Sequence, residues 1–228
     1  MNEKQVFAKP QVWPVIHLDS LELALSNADI AQRCGCEGVF VIDMNALDDK
    51  TDQMALAIKQ RHQNLLVGVN YLSLRAPAAL QRSIALGLDA TWVDNPGVRS
   101  SGISETLLVG VQEALAANPS HLYFGSVAFK YQPVDNDPPA AAARALKLGM
   151  IPTTSGVGTG YPPEASKLHA MRQALGSGPL AVASGIDRYN AYELGRFLTH
   201  ILVSTGISKS DVEFDEAELK LLMQQLES

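Results

Sequence analysis

Cysteine is scarce in this chain: 228 residues carry only Cys34 and Cys36, with one glycine between them. Residues so close in sequence cannot be bridged without strain, and two thiolates alone make a poor metal site. Free thiols in a reducing compartment are therefore expected. Long apolar runs are also missing. None approaches the roughly 20 residues needed to cross a bilayer, so no membrane span is expected. The opening stretch, Met1-Asn-Glu-Lys-Gln5, holds no apolar signal region, and the expectation is a cytoplasmic protein. Basic residues are outnumbered 18 to 24, for a net charge of -6. No Lys/Arg-rich stripe appears, which argues against nucleic acid as a partner. A bound anion would have to be held locally, by backbone amides and one or two cations. No Gly-Lys-Ser/Thr follows a glycine-rich stretch, so a P-loop is excluded. No linker or composition break divides the chain, and residues 1–228 read as one domain.

What the chain does have is repetition of a pattern. Hydrophobic residues make up 46% of it, a normal globular proportion. Eight short runs rich in Val, Ile, Leu and Phe end in a polar residue or Gly, and each is followed by a helix-length stretch. They cover 15–19, 38–44, 65–71, 90–96, 121–129, 150–156, 179–186 and 200–207. Strands alternating with helices imply right-handed βαβ crossovers and a parallel sheet. Eight such units predict an α/β fold, a single (β/α)8 TIM barrel, with chemistry at the C-terminal ends of the strands.

Helices are expected over about 20–34, 50–61, 75–87, 104–117, 138–149, 162–176, 189–198 and 213–226. Ser20 suits an N-cap, and Pro77 suits a first turn. Pro152 breaks a local rule, because a proline inside a central strand loses a ladder bond. Either the strand bulges there or regular pairing begins later. Phe40, Trp92 and Phe124 lie in strands and read as core; Tyr131 and Tyr161 follow strand ends and either line or cover the mouth or, the preferred reading, pack on the surface.

The strand ends divide the mouth into two halves. The first half brings His17, Asp43, Asn70, Asp94 and Asn95, with Lys130 after the fifth strand. The second half brings Gly and hydroxyl residues: Ser155, Gly156, Gly158, Thr159 and Gly160, then Ser184 and Gly185, then Ser204, Thr205 and Gly206. Glycines let backbone N–H groups approach an oxyanion, hydroxyls add donors, and helix starts add a favourable dipole. Barrels frequently bind phosphate after strands 7 and 8. The second half therefore reads as a phosphate cradle, against the blander view that its glycines only make tight turns.

Lys130 has three readings: a Schiff-base nucleophile after desolvation, a fixed cation facing the substrate, or a partner in an ion pair with Asp94 or Asp43. Asp43 and Asp94 come from alternate strands, whose side chains share layers. They suit acid–base work or a Mg²⁺ site, or else they cap turns. His17 titrates near neutrality or serves as a core donor. Asn70 and Asn95 suit the orientation of a sugar hydroxyl or an amide.

These residues resemble the BtpA family, a branch of the phosphate-binding TIM barrels. The matching pieces are Val15-Ile-His-Leu18, Gly68-Val-Asn-Tyr-Leu72 and Phe129-Lys-Tyr131. They continue with Thr154-Ser-Gly-Val-Gly-Thr-Gly-Tyr-Pro-Pro163, Ala183-Ser-Gly-Ile186 with Asn190 shortly after, and Ser204-Thr-Gly-Ile207. The chain departs from the family in a shorter loop after strand 1, at Asp43 and at Asp94-Asn95-Pro96, all on the chemical half. The resemblance implies the barrel and its phosphate site. The family takes its name from a factor needed for photosystem I accumulation in cyanobacteria, and other members look like metabolic enzymes.

The expected function is an enzyme binding a small phosphorylated metabolite, a sugar phosphate or a phosphoribosyl or nucleotide-type compound. Isomerase, lyase and phosphoribosyl-type transferase chemistry all fit. The alternatives are a non-catalytic ligand sensor or assembly factor of BtpA type, and a divalent-metal-dependent lyase. No cofactor is required by the first of these, and a cation such as Mg²⁺ enters only with the last. A homo-oligomer is compatible with the sequence.

Overall fold

The computed structural model describes residues 9–227. Eight strands close into a parallel barrel: β1 (Gln11–His17), β2 (Gly38–Ile42), β3 (Leu66–Asn70), β4 (Ala90–Val93), β5 (Leu122–Ser126), β6 (Ile151–Thr154), β7 (Ala181–Ala183) and β8 (His200–Val203). β1 closes the ring by pairing with β2 on one side and β8 on the other. The helices between them are α1 (Leu21–Arg33), α2 (Asp48–Arg61), α3 (Ala76–Ala85), α4 (Glu105–Leu108), α5 (Val111–Ala117), α6 (Pro138–Lys147), α7 (Ala165–Leu175), α8 (Ala191–Gly195) and α9 (Glu216–Gln225). The fold is the (β/α)8 TIM barrel.

The barrel stagger explains both strand prolines. Pro152 pairs with Gly125 of β5, but pairing with β7 begins only at Thr153. Pro14 sits at the same kind of step. β1 pairs with β8 through Gln11–Pro14 and with β2 from Val15 onward. Each proline therefore stands where one side of the strand has no ladder to lose. This places the start of β1 at Gln11, four residues before the apolar run beginning at Val15.

Several helices differ from the expected spans. The single helix expected over 104–117 is two, α4 and α5, because Gly110 adopts φ 73 between them. Glycine enters this left-handed conformation freely, and the chain turns a corner there. The residues before α4 form a small ribbon, Val98–Arg99 paired antiparallel with Gly102–Ile103. The helix expected over 189–198 shortens to α8. Ser20 does cap α1, accepting from the Leu23 amide at 3.2 Å. Asp137 and Asp215 cap α6 and α9 in the same way.

Two apolar layers hold the fold. Outside the sheet, small faces of the helices such as Ala24, Ala28 and Ala31 of α1 and Ala141, Ala142 and Ala145 of α6 lie fully or almost fully buried. Inside the barrel, the plug is aromatic. Trp13, Phe40 and Phe124 contact one another with centroids 5.1–5.7 Å apart, and Phe40 continues to Trp92 and then Phe129. Glycines in the strands make room for these rings. A Cβ on Gly38 would lie 2.5 Å from Trp13, and one on Gly68 would lie 2.4 Å from Phe40. The interior is thus filled from below, and the mouth above Trp92 is the open end. Cys34 and Cys36 are free thiols, and burial raises the pKa of both.

Candidate active site at the barrel mouth

A small cavity of about 60 Å³ lies at the mouth over β1, β7 and β8. Its floor is Val15, Trp92, Ala183 and Leu202, and its rim carries His17, Lys130, Thr159, Gly160, Ser184, Gly185, Ser204, Thr205 and Gly206. The glycine and hydroxyl residues expected after strands 6 to 8 therefore meet Lys130 and His17 in one place. The N–H groups of Gly160, Gly185, Thr205 and Gly206 donate to no other described residue outside regular ladders. Thr205 and Gly206 open a 3₁₀ turn, Thr205–Ile207, whose first amides have no partner within the turn.

Close backbone approach builds this rim. A Cβ on Gly185 would lie 2.1 Å from the Pro162 nitrogen, and one on Gly206 would lie 2.2 Å from the Ile186 carbonyl. Only glycine lets the loop after β7 touch both neighbours. Ser184 Oγ donates to the Gly158 carbonyl at 2.9 Å, and Asn190 Nδ2 donates to the Gly185 carbonyl at 2.8 Å. Asn190 thus braces the loop from the start of α8.

Lys130 enters from the loop after β5. Its amide donates to Ser155 Oγ at 2.7 Å and its ammonium to Thr159 Oγ1 at 3.3 Å. Burial lowers its pKa, while Tyr131 and Asp94 pull the other way. It forms no ion pair with Asp43, whose carboxylate is held by Lys50 at 3.0 Å. His17 hydrogen-bonds through Nδ1 to the Asp211 carbonyl at 3.0 Å, and burial lowers its pKa against the pull of Asp211.

The acidic residues separate. Asp43 is buried; burial opposes its charge, but the Asn45 amide at 2.7 Å and the Lys50 ammonium hold its carboxyl below the usual range. It lines none of the three cavities described here. Asp94 stands at the open rim, yet the packed atoms around its carboxyl group desolvate it and raise its pKa. The Asn70 amide donates to it at 3.2 Å. Together with Asn95, Asp94 and Asn70 line a second cavity of about 470 Å³ between the β3 and β4 ends. Asn95 also makes a turn, accepting the Gly97 amide at 3.1 Å.

Ser155 and Gly156 line a third cavity, of about 480 Å³, between the loops after β5 and β6. The Ser155 hydroxyl is spent internally, donating to the Gly156 carbonyl at 2.9 Å while accepting from Lys130. Gly158 contributes its carbonyl to Ser184 rather than a surface to either cavity. Lys167, which the sequence reading did not single out, reaches in from α7. Its ammonium donates to the Ala128 carbonyl at 2.7 Å and to the Ser155 carbonyl at 2.9 Å, and burial lowers its pKa to about 8. Only its helical position, one turn after Pro163, hinted at this. Among the described residues, no group of three or more His, Cys, Asp or Glu side chains is placed to hold a metal ion.

No protein-family model matches the chain. A search of curated proteins finds no match either. Solved structures match over nearly the whole length. A 4-hydroxy-2-oxoglutarate/2-dehydro-3-deoxyphosphogluconate aldolase from TTHB1 is similar at 16% identity and TM-score 0.66, with 99% of each chain covered. A native KDPGal structure is similar at 12% identity and TM-score 0.69, covering 98% of this chain and 97% of the other. A phosphoribosyl anthranilate isomerase from Thermotoga maritima is similar at 12% identity and TM-score 0.67, covering 96% and 98%. At these identities the likeness is one of fold.

Proposed function

We propose that this barrel is an enzyme acting on a small phosphorylated metabolite, by isomerase, lyase or phosphoribosyl-type transfer chemistry. The observation that carries the proposal is the convergence of Lys130 and His17 with Gly160, Ser184, Gly185, Thr205 and Gly206 on one small cavity. Free amides, the Thr205 hydroxyl and one ammonium suit a dianion. The phosphate sits against the loops after β7 and β8, with Gly160 completing the cradle. Lys130 stabilises negative charge on the bound compound. His17, at the rim of this cavity and kept toward its neutral, proton-accepting form by burial, is the group suited to move a proton; Asp94, its carboxyl pKa raised by desolvation, lines the neighbouring cavity between the β3 and β4 ends.

The names of the similar structures support the same class, since an aldolase of a phosphogluconate and an isomerase of a phosphoribosyl compound share this architecture. The residue matches from Val15 to Ile207 favour the BtpA branch of the phosphate-binding barrels. In this proposal Asp43 is structural and Lys130 provides the cationic charge at the cradle. No cofactor is called on.

Calorimetric titration of the full chain with inorganic phosphate tests the proposal. Loss of a charge-assisted hydrogen bond costs about 1.5–3 kcal/mol, so Lys130→Ala should bind phosphate roughly ten- to a hundredfold more weakly. Native mass spectrometry of the fresh wild-type protein should show a co-purifying phosphorylated compound that the variant lacks. Equal phosphate binding by both proteins would overturn the proposal.

A further inference from the structure

The phosphate cavity is too small for a whole metabolite, so the organic part must extend elsewhere. Two larger cavities flank it. The one between the β3 and β4 ends shares no lining residue with the phosphate cavity, whereas the one between the β5 and β6 loops shares Lys130. The second is therefore the neighbouring space for an organic group, with Lys130 standing between the two.

Three apolar side chains stand exposed on its walls. Tyr131, Val134 and Val157 are 82%, 84% and 87% exposed, and all three border this cavity. Single exposed apolar residues are ordinary, but several around one cavity mark a binding surface. Most polar groups of the same wall already have protein partners, and the exposed Glu164 carboxylate, also on this wall, accepts from Ser166 Oγ at 3.3 Å. Lys167 spends two N–H groups on carbonyls. Asp135 accepts from the Ser100 and Asp137 amides. Gln132 donates to the Ser126 and Asp94 carbonyls. Lys130 stands at the border, lining both this cavity and the phosphate cavity.

The backbone supplies a second, independent sign. Tyr131 adopts φ 63 and Ala128 φ 46, a left-handed conformation that costs a side-chain-bearing residue free energy. Such strain persists only where the surroundings enforce it, and it clusters at ligand clamps. The Tyr131 ring stands largely exposed, with its hydroxyl against Thr159 Oγ1 at 3.3 Å.

We propose that Tyr131, Val134 and Val157 clamp a flat, apolar organic group attached to the phosphate, so that the substrate class is an aryl or similarly apolar phosphate monoester. This rests on the phosphate reading above. Binding of glycerol 3-phosphate and phenyl phosphate, equal in charge but different in polarity, tests it in the full chain. Phenyl phosphate should bind about tenfold or more tightly, as burial of an aromatic ring implies. In Tyr131→Ala and Val157→Ser that ratio should fall toward one. A wild-type ratio near one would overturn this inference and leave the phosphate reading intact. A high ratio unchanged in both variants would also overturn it, by placing the apolar group elsewhere. Failure of the wild type to bind either compound would overturn both.

Discussion

His200 shows how burial at a single residue sets a property of the whole protein. It opens β8 at the closed end of the barrel, edge-on to Phe124 at 5.3 Å, with Nδ1 2.8 Å from Thr199 Oγ1. Burial among apolar atoms lowers its pKa from 6.5 to about 4. The folded state thus resists a proton that the unfolded chain accepts. Its contribution to stability is complete above pH 6.5 and is lost as the pH falls toward about 4, a loss of up to about 3 kcal/mol. Urea unfolding across that window should show the decline, and His200→Gln should flatten it. An unchanged slope would refute the assignment. Lys130 belongs to the same scale. Burial costs its ammonium solvation, and Thr159 returns one hydrogen bond, which leaves its remaining donors for the proposed anion.

At the scale of elements, the aromatic plug and the strand glycines form one device. Gly68 is fixed by the Phe40 ring rather than by backbone conformation. Gly68→Ala should overpack the interior and cost about 1–3 kcal/mol, lowering the melting temperature by several degrees for a chain of this size. Adding Phe40→Leu should recover part of the loss, measured as a non-additive term in a double-mutant cycle. Additive effects would separate the two positions. The plug also shows what could be read in the sequence. Phe40, Trp92 and Phe124 were recognisable as core because they sit in strand-like runs, and the eight runs themselves marked the barrel. The start of β1 was hidden, because Pro14 reads as a breaker until the barrel stagger removes its partner on one side. The division of α4 from α5 turned on Gly110, one glycine in an otherwise helical pattern. The glycine ends of β7 and β8 were legible at the mouth. The separation of Asp43 from Asp94 was not, since it depends on Lys50 of α2 reaching across to Asp43. Lys167 was hidden for the same reason: its role comes from packing between elements and carries no local motif.

For the molecule as a whole, the barrel places a filled, apolar interior below and an open, polar mouth above. The aromatic plug runs up to Trp92 and Phe129, and the loops after β5 to β8 rise around it. Glycine contacts lock these loops together through Gly185 against Pro162 and Gly206 against Ile186. That arrangement holds the loop backbones in place, which is the preorganisation the proposed anion site requires. No described helix is long and apolar enough to cross a membrane.

The most direct measurement is a crystal structure of the full chain soaked in concentrated sulfate, a mimic of the phosphate dianion. One sulfate should occupy the cavity of about 60 Å³, within hydrogen-bonding distance of the Gly185 and Gly206 amides and of Lys130 Nζ. Density for sulfate elsewhere with this cavity unoccupied, or these amides turned onto protein acceptors, would contradict the account.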